Sequence, residues 1–329
     1  MRRTNGFQTR DSALSYFVNQ LDNMDRRLYE PLVSVSWGRD IKLRSGITMS
    51  NESTSFIRSA FAGAGSLSAS GGASSPGVGG NMPWMSAEGT AIPGVSVNGE
   101  RLVKPLRLLA REVSYTSVEL DRSQLTGQPI DVQKMDAFNQ LYQMNTDQMV
   151  YIGSSEVSAT GLLNDAGVTY GNVAAGASGS TLWVNKTPDE ILTDVNTLLE
   201  SSWSASAFAV CPSGLRLPPY QFSLISSLKV SSAGNVSILK FLKENSIALE
   251  INGKELDIQP IKWLTGRGAG STDRMMVYTN EEMYVRFPMV PVRRETAYYQ
   301  GLRFIAPYLW AFGELEIPYP TTIQYADGI

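Results

Sequence analysis

The chain is expected to adopt an α+β fold, with strands and helices in separate stretches. Residues 131–152 keep a helical period for about six turns. Runs of β-branched and aromatic residues lie on both sides of them, without the regular strand–helix–strand spacing of a parallel sheet. Of 329 residues, 43% are hydrophobic and 18% charged, which describes a folding chain of one large or two modest domains. The low charge implies less ionised surface than a freely soluble monomer displays. No internal repeat is present.

Residues 1–16 are polar. From Tyr16 to Leu32 the positions Phe17, Leu21, Met24 and Leu28 have helical spacing, and Pro31 ends that helix. An extended segment then runs through Val33, Val35 and Trp37. Ile47 to Phe61 and Met82 to Val97 read as two strands around a tip, Ala62 to Gly80, made almost wholly of Gly, Ala and Ser. That composition also fits a flexible linker. As a hairpin it would be marginal in water and would need a partner surface. Leu106 to Leu120 reads as a return strand.

Asp131, after Pro129, is a natural N-cap for the long helix. Val132, Met135, Phe138, Tyr142 and Met149 share one face, Leu141, Met144 and Gln148 form a second half-apolar stripe, and Gly153 stops the helix. Two apolar faces need cover on more than one side. Ala166 to Gly179 is a Gly/Ala loop. Thr187-Pro188-Asp189-Glu190 opens a helix to about Trp203, with a cap, a first-turn proline and two acids. Phe208-Ala209-Val210 reads as a short buried strand. Helices are expected from Pro219 to about Leu228 and from Ser237 to Asn245. Strands are expected at Ile247–Ile251, Leu256–Ile261, Met275–Thr279 and Met283–Phe287, with a final strand pair over Leu302–Tyr319.

The chain has no histidine, so catalysis by Ser-His-Asp or Cys-His pairs and zinc sites containing histidine are excluded. Ser237-Ile238-Leu239-Lys240 and Ser226-Ser227-Leu228-Lys229 fit a Ser-x-x-Lys spacing, but the companion Ser-Asp-Asn and Lys-Thr-Gly motifs are absent. Surface serine and lysine is the preferred reading. Gly266-Arg267-Gly268-Ala269-Gly270-Ser271-Thr272 lacks the lysine and spacing of a phosphate loop and reads as a mobile turn. The aromatics from Tyr298 to Phe312 read as core packing, not base stacking. Catalytic, cofactor and metal residues are therefore expected to be none. Cys211 is alone and reads as a buried thiol in a reducing compartment. Met1-Arg2-Arg3 is not followed by an apolar stretch, so no signal peptide is expected. No run approaches the roughly 20 apolar residues of a membrane span. A net charge of −3 gives no basic footprint for DNA recognition, though it does not oppose enclosing DNA.

Several short blocks occur in a fixed order: Tyr29-Glu30-Pro31, Trp37-Gly38-Arg39-Asp40-Ile41, Glu52-Ser53-Thr54-Ser55-Phe56, Ile92-Pro93-Gly94-Val95-Ser96-Val97 and Ser114-Tyr115-Thr116-Ser117. They continue with Gly127-Gln128-Pro129-Ile130-Asp131, Lys186-Thr187-Pro188-Asp189-Glu190-Ile191-Leu192, Leu217-Pro218-Pro219, Arg286-Phe287-Pro288-Met289-Val290-Pro291 and Asp327-Gly328-Ile329. In that order, from about Phe17 to the last residue, the chain resembles the major capsid proteins of tailed bacteriophages. Their Hong Kong 97-type fold is also used by encapsulin shells.

The resemblance implies an N-terminal arm (1–45), an extended loop (46–105) and a peripheral domain (106–164 and 291–329) with a spine helix (131–152). Residues 165–290 would be an axial domain. It implies no enzymatic activity and no cofactor. The partners would be other copies, as hexamers and pentamers in an icosahedral shell around double-stranded DNA, and a portal protein. Scaffolding and decoration proteins are further partners it allows. No membrane partner is expected, and the location would be the virion after assembly in the bacterial cytoplasm. Trp37, Arg39, Phe56, Phe61, Trp84 and Arg267 are the candidate contacts between copies, with Trp37 expected to anchor on a neighbour. An encapsulin-like shell holding cargo is the alternative, and a Ser-Lys hydrolase is the less favoured one.

Overall fold

A computed structural model describes residues 33–63, 95–126, 130–230 and 235–329. The expected helix at 16–32, most of the Gly/Ala/Ser tip, and Trp84 lie outside those residues, as does the side chain of Phe61.

The helical period yields one helix, Ile130–Tyr151. Asp131 therefore stands in the first turn, not at the cap. Phe138, Tyr142 and Met149 face inward as expected, whereas Val132 is exposed at the helix start. The inward face meets alternate residues of one long strand, Arg303–Gly313. Phe138 lies 4.7 Å from Tyr308 and 5.9 Å from Trp310, and Tyr142 lies 5.6 Å from Trp310. A period of 3.6 on the helix and of 2 on the strand brings these rings into one layer. Of the aromatics read as core, Tyr308, Trp310 and Phe312 are buried, whereas Tyr298 and Tyr299 are exposed.

That strand is central in an antiparallel sheet. Its neighbours are Met289–Arg294 and Val95–Thr116, the latter pairing onward with Ser53–Gly63, while Tyr298–Gln300 also pairs with the central strand. The hairpin return and the expected Leu106–Leu120 strand are thus one strand of 22 residues. It ends at Thr116, where Ser117–Thr126 turns helical instead of continuing the strand. Thr116 and Glu119 form a reciprocal capping pair: Glu119 N–H donates to Thr116 Oγ1 (3.2 Å), and Thr116 N–H donates to Glu119 Oε2 (3.0 Å). Lys134 Nζ, at 2.8 Å, then Thr116 N–H hold the Glu119 carboxyl down at about 2.

A second sheet, also of five strands, runs in the order Asp257–Pro260, Gly214–Leu217, Arg274–Tyr278, Gln324–Asp327, Thr169–Asn172. Its two faces serve different cores. Met276, Tyr278 and Tyr325 join the long-helix core, whereas Met275, Val277 and Ala326 join a core built with Pro188–Ala205, Pro219–Ser227 and Ile238–Asn245. The C-terminal strand therefore pairs within this sheet, although residues 291–329 were expected with the long helix.

Thr187 caps this helix as expected, and with Glu190 it forms a full capping box. Four local expectations are corrected. Phe208–Val210 is a turn with Ala207 and Phe208 at positive φ, because the helix before it ends in a hydrogen-bonded reversal onto Trp203. Ile247–Asn252 is a helix closed by Gly253 in the left-handed conformation, since a short apolar run does not distinguish strand from buried helix. The Gly/Ala stretch contains the strand Thr169–Asn172, recruited by the C-terminal strand. Met283–Phe287 contributes only Arg286–Phe287 as strand.

Candidate functional site

The hairpin Ser53–Gly63 with Val95–Thr116 pairs residue for residue from Ser53 opposite Pro105 to Gly63 opposite Val95. Residues directly opposite share a face. One face carries Thr54, Phe56 and Arg58 opposite Lys104, Leu102 and Glu100, and it closes on the segment 314–318. Arg58 donates to the carbonyls of Pro318 (Nε, 3.0 Å) and Ile317 (Nη2, 2.8 Å). Lys104 Nζ donates to Leu315 O (2.6 Å) and Glu314 Oε1 (3.0 Å). Buried Glu316 accepts from Arg44 and from Arg286 Nε (2.7 Å). The opposite face is open. There Ile57 is 71% exposed, Val97 64% and Val103 53%. A second exposed apolar point is the strand Tyr298–Gln300 with the turn after it, where Tyr299 is 78% and Leu302 76% exposed. The second stripe of the long helix, Leu141, Met144 and Gln148, is exposed as well.

The segment before the hairpin forms a strap. Trp37–Asp40 is a helical turn, not an extended strand, because Asp147 of the long helix receives its leading amides: Ser36 N–H at 2.9 Å and Trp37 N–H at 3.1 Å. The Trp37 indole N–H donates to Gln143 Oε1 (2.9 Å), and the ring packs on the long-helix core. Trp37 thus makes these contacts within its own chain and stays half-buried. Arg39 also turns inward, donating to Asp40, Gln259 Oε1 (3.3 Å) and Pro260 O (3.1 Å).

Asp40 is fully buried and accepts from Arg39, from Tyr151 and from Arg216 Nε (2.9 Å). Arg216, equally buried, reaches Asp257 through Nη1 to the carbonyl (2.6 Å) and Nη2 to the carboxylate (2.7 Å). Burial opposes the Arg216 charge, but Tyr278, Asp40 and Asp257 outweigh it and hold its pKa above the ordinary value. Burial, then the Asp40 charge, pushes the Tyr151 hydroxyl far above its usual range. Sequence reasoning missed this network. Its one signal was a lone arginine inside Leu215-Arg216-Leu217, an apolar run where a charge requires a buried partner.

Phe56 is half-buried between two guanidinium groups, Arg58 at 5.7 Å and Arg286 at 5.9 Å. Arg267 is exposed, on the glycine-rich loop. That loop is pinned, not loose: Gly268 N–H donates to Thr272 O (2.7 Å), Gly266 N–H to Asp273 Oδ1 (2.8 Å) and Ala269 N–H to Asp327 Oδ2 (3.0 Å). Two of its amides are held by carboxylates and one by a carbonyl, so they are not directed at a phosphate.

The Ser-x-x-Lys spacing has a local use too. Ser237 Oγ accepts from the Lys240 N–H (3.3 Å) as a helix cap, and Lys240 Nζ lies 3.6 Å from Glu244. Cys211 is buried, which raises its thiol pKa. Among the described residues no cluster of acids and cysteine suits a metal ion, and no helix is long and apolar enough to cross a membrane.

A family model described as major capsid protein matches residues 80–329. Among solved structures the chain is similar to the capsid of Myoviridae phage XM1, at 15% identity and a TM-score of 0.73, over 94% of this chain and 98% of that one. It is also similar to the capsid of an empty GTA particle, at 12% identity and a TM-score of 0.56, over 93% and 94%. A chain from Mycobacterium phage Che8 matches at 10% identity and a TM-score of 0.57, over 92% and 95%. At these identities the structures speak for the fold. No curated protein matches.

Proposed function

The chain belongs to the major capsid protein family, and from that premise we propose that it self-assembles, as hexamers and pentamers, into the icosahedral head shell of a tailed bacteriophage around double-stranded DNA. The observation that carries the mechanism is the hairpin with one face held to its own chain and the other bare. An isolated two-stranded ladder is marginal in water, so this one requires cover, and a neighbouring copy supplies it. Interfaces of the obligate kind bury more than about 2,000 Å² and are apolar at their centre, which suits Ile57, Val97 and Val103. In this reading residues 1–45 are the arm, 46–105 the extended loop, and 106–164 with 291–319 the peripheral domain. Residues 165–290, joined by the C-terminal strand, are the axial domain, with Arg267 on a loop that meets its symmetry mates. Phe56, Phe61, Trp84 and the Tyr299–Leu302 turn are further contacts between copies. A portal protein, scaffolding and decoration proteins complete the set of partners, and assembly takes place in the bacterial cytoplasm. The reading assigns no catalytic step, and no observation favours the cargo-holding compartment.

The test is electron microscopy of the chain with Ile57→Asp and Val103→Asp together. Both side chains are exposed in the subunit, so the folded chain should persist while closed particles disappear. Particles at wild-type yield from that variant would remove the hairpin face from the mechanism.

Covalent cross-linking through lysine–asparagine bonds is not expected. Residues 46–100 contain no lysine. Lys104 is held by Glu314 and the Leu315 carbonyl, and Arg58, the arginine among residues 46–100, stays protonated. Mature particles boiled in detergent should therefore release single chains. A ladder of larger species would point first to Lys42 or Lys104.

A further inference from the structure

The long helix presents a bare apolar stripe to solvent. Ala137, Leu141 and Met144 follow one another at steps of four and three, and all three are exposed. Lys134, two turns before Leu141 on that side, donates to Ser114 O (2.8 Å) and lies 5.2 Å from the Tyr115 ring. The stripe therefore runs along the strand Val95–Thr116. Arg107 and Arg111 of that strand stand directly opposite Phe312 and Tyr308, whose rings meet Tyr142 and Phe138. Both arginines are thus on the helix side of the sheet and border the stripe. They are exposed, and neither has a hydrogen-bond or ion-pair partner among the described residues, whereas Arg44, Arg58 and Arg286 near the same sheet are each bonded. An apolar stripe edged with unpaired guanidinium groups fits an amphipathic segment edged with carboxylates.

The chain itself holds one such segment. Phe17, Leu21, Met24 and Leu28 keep a helical spacing, and on that period Asp25, four after Leu21 and three before Leu28, borders them, with Asp22 three positions earlier. Its attachment lies close by, since Val33 and Val35 line a cleft with Asp136, Asn139 and Gln143 of the long helix. The steps from Leu28 to Val33 span at most about 17 Å, and a helix with its side chains is about 10–12 Å thick, so the tether reaches around to the stripe. A tether this short holds the segment at a high local concentration. We propose that residues 17–28 cover the stripe of Ala137, Leu141 and Met144 in their own chain, with Asp22 and Asp25 turned to Arg107 and Arg111. The hairpin face that carries Val103 is left bare for a neighbouring copy, so the inference stands apart from the shell reading.

The experiment places a photoreactive benzophenone side chain at position 144 of the full-length chain, in place of Met144, and identifies the captured peptide by mass spectrometry. A co-expressed chain marked by Val18→Ile and lacking the benzophenone separates links within a chain from links between chains. Capture should fall within residues 17–28 and yield the unmarked peptide. Asp22→Lys with Asp25→Lys should lower the yield of that link several-fold, and adding Arg107→Glu with Arg111→Glu should restore it. A chain that had merely failed to fold would not be rescued by the second pair. Capture elsewhere, or none, overturns the proposal. So does capture of the marked peptide as often as the unmarked one, which would give the stripe to a neighbour's segment. A yield unchanged by Asp22→Lys with Asp25→Lys overturns the pairing with the arginines. The readout needs no particles, so a failure of the shell reading leaves it intact.

Discussion

Replacing Arg216 with methionine is expected to lower the stability of the folded chain by about 3–5 kcal/mol, the range for breaking a buried ion pair from one side. The methionine fills much of the space but donates nothing. Asp40 would lose one of its donors while staying fully buried, and the Asp257 carbonyl would lose a 2.6 Å bond. The guanidinium also lies 5.2 Å from the Tyr278 ring, a contact that methionine only partly replaces. Urea unfolding of the unassembled chain would measure the loss as a lower midpoint at unchanged slope. A midpoint equal to that of wild type would mean that the network contributes nothing. Changing Asp40 and Arg216 together to apolar residues should recover part of the loss, because the lone buried charge is then gone.

Gly161→Ala is expected to destabilise by at least the upper end of the roughly 1–3 kcal/mol that overpacking costs. A Cβ there would sit 2.4 Å from the Tyr151 carbonyl carbon and 2.5 Å from the Ile152 nitrogen. Both are backbone atoms at the end of the long helix, so no side chain can yield. The close approach is what allows the amides of Leu162 and Leu163 to reach the last carbonyls of the helix. Asn164 completes the closure, accepting from Gly161 N–H (2.7 Å) and donating to Ile152 O (2.8 Å). Gly171→Ala is the comparison, since a Cβ there meets nothing within 4 Å, and it should change stability by less than about 0.5 kcal/mol. Thermal unfolding of the two variants side by side decides the point. Similar midpoints would show that the crossing can relax.

Elements governed by near neighbours were legible in the residues. The long helix, the cap at Thr187, the helix capped by Ser237 and the strand Arg274–Tyr278 each follow from period or cap chemistry within a few positions. The cap at Thr116 was equally legible, as Thr-x-x-Glu before Ser117–Thr126, although a strand was expected through Leu120. Ile247–Asn252 was misread because six apolar-rich residues fit either period. The hairpin was recognised from two strand-like flanks, and the expectation that it needs outside cover followed from the marginal stability of a two-stranded ladder in water.

What the sequence by itself determined was the α+β class, the elements with strong local periodicity, the absence of histidine chemistry and, through an ordered set of short blocks, the family. Only the tertiary structure decided where Trp37 and Arg39 turn, which face of the hairpin stays bare, and which charge lies opposite Arg216. Those outcomes depend on partners far along the chain: Asp147 is 110 residues from Trp37 and Asp40 is 176 from Arg216. Periodicity and capping act within a turn or two of backbone, so they leave a local trace in the residue order. A buried ion pair is selected by which groups the packed chain brings within about 3 Å and removes from water, and no local pattern encodes that meeting.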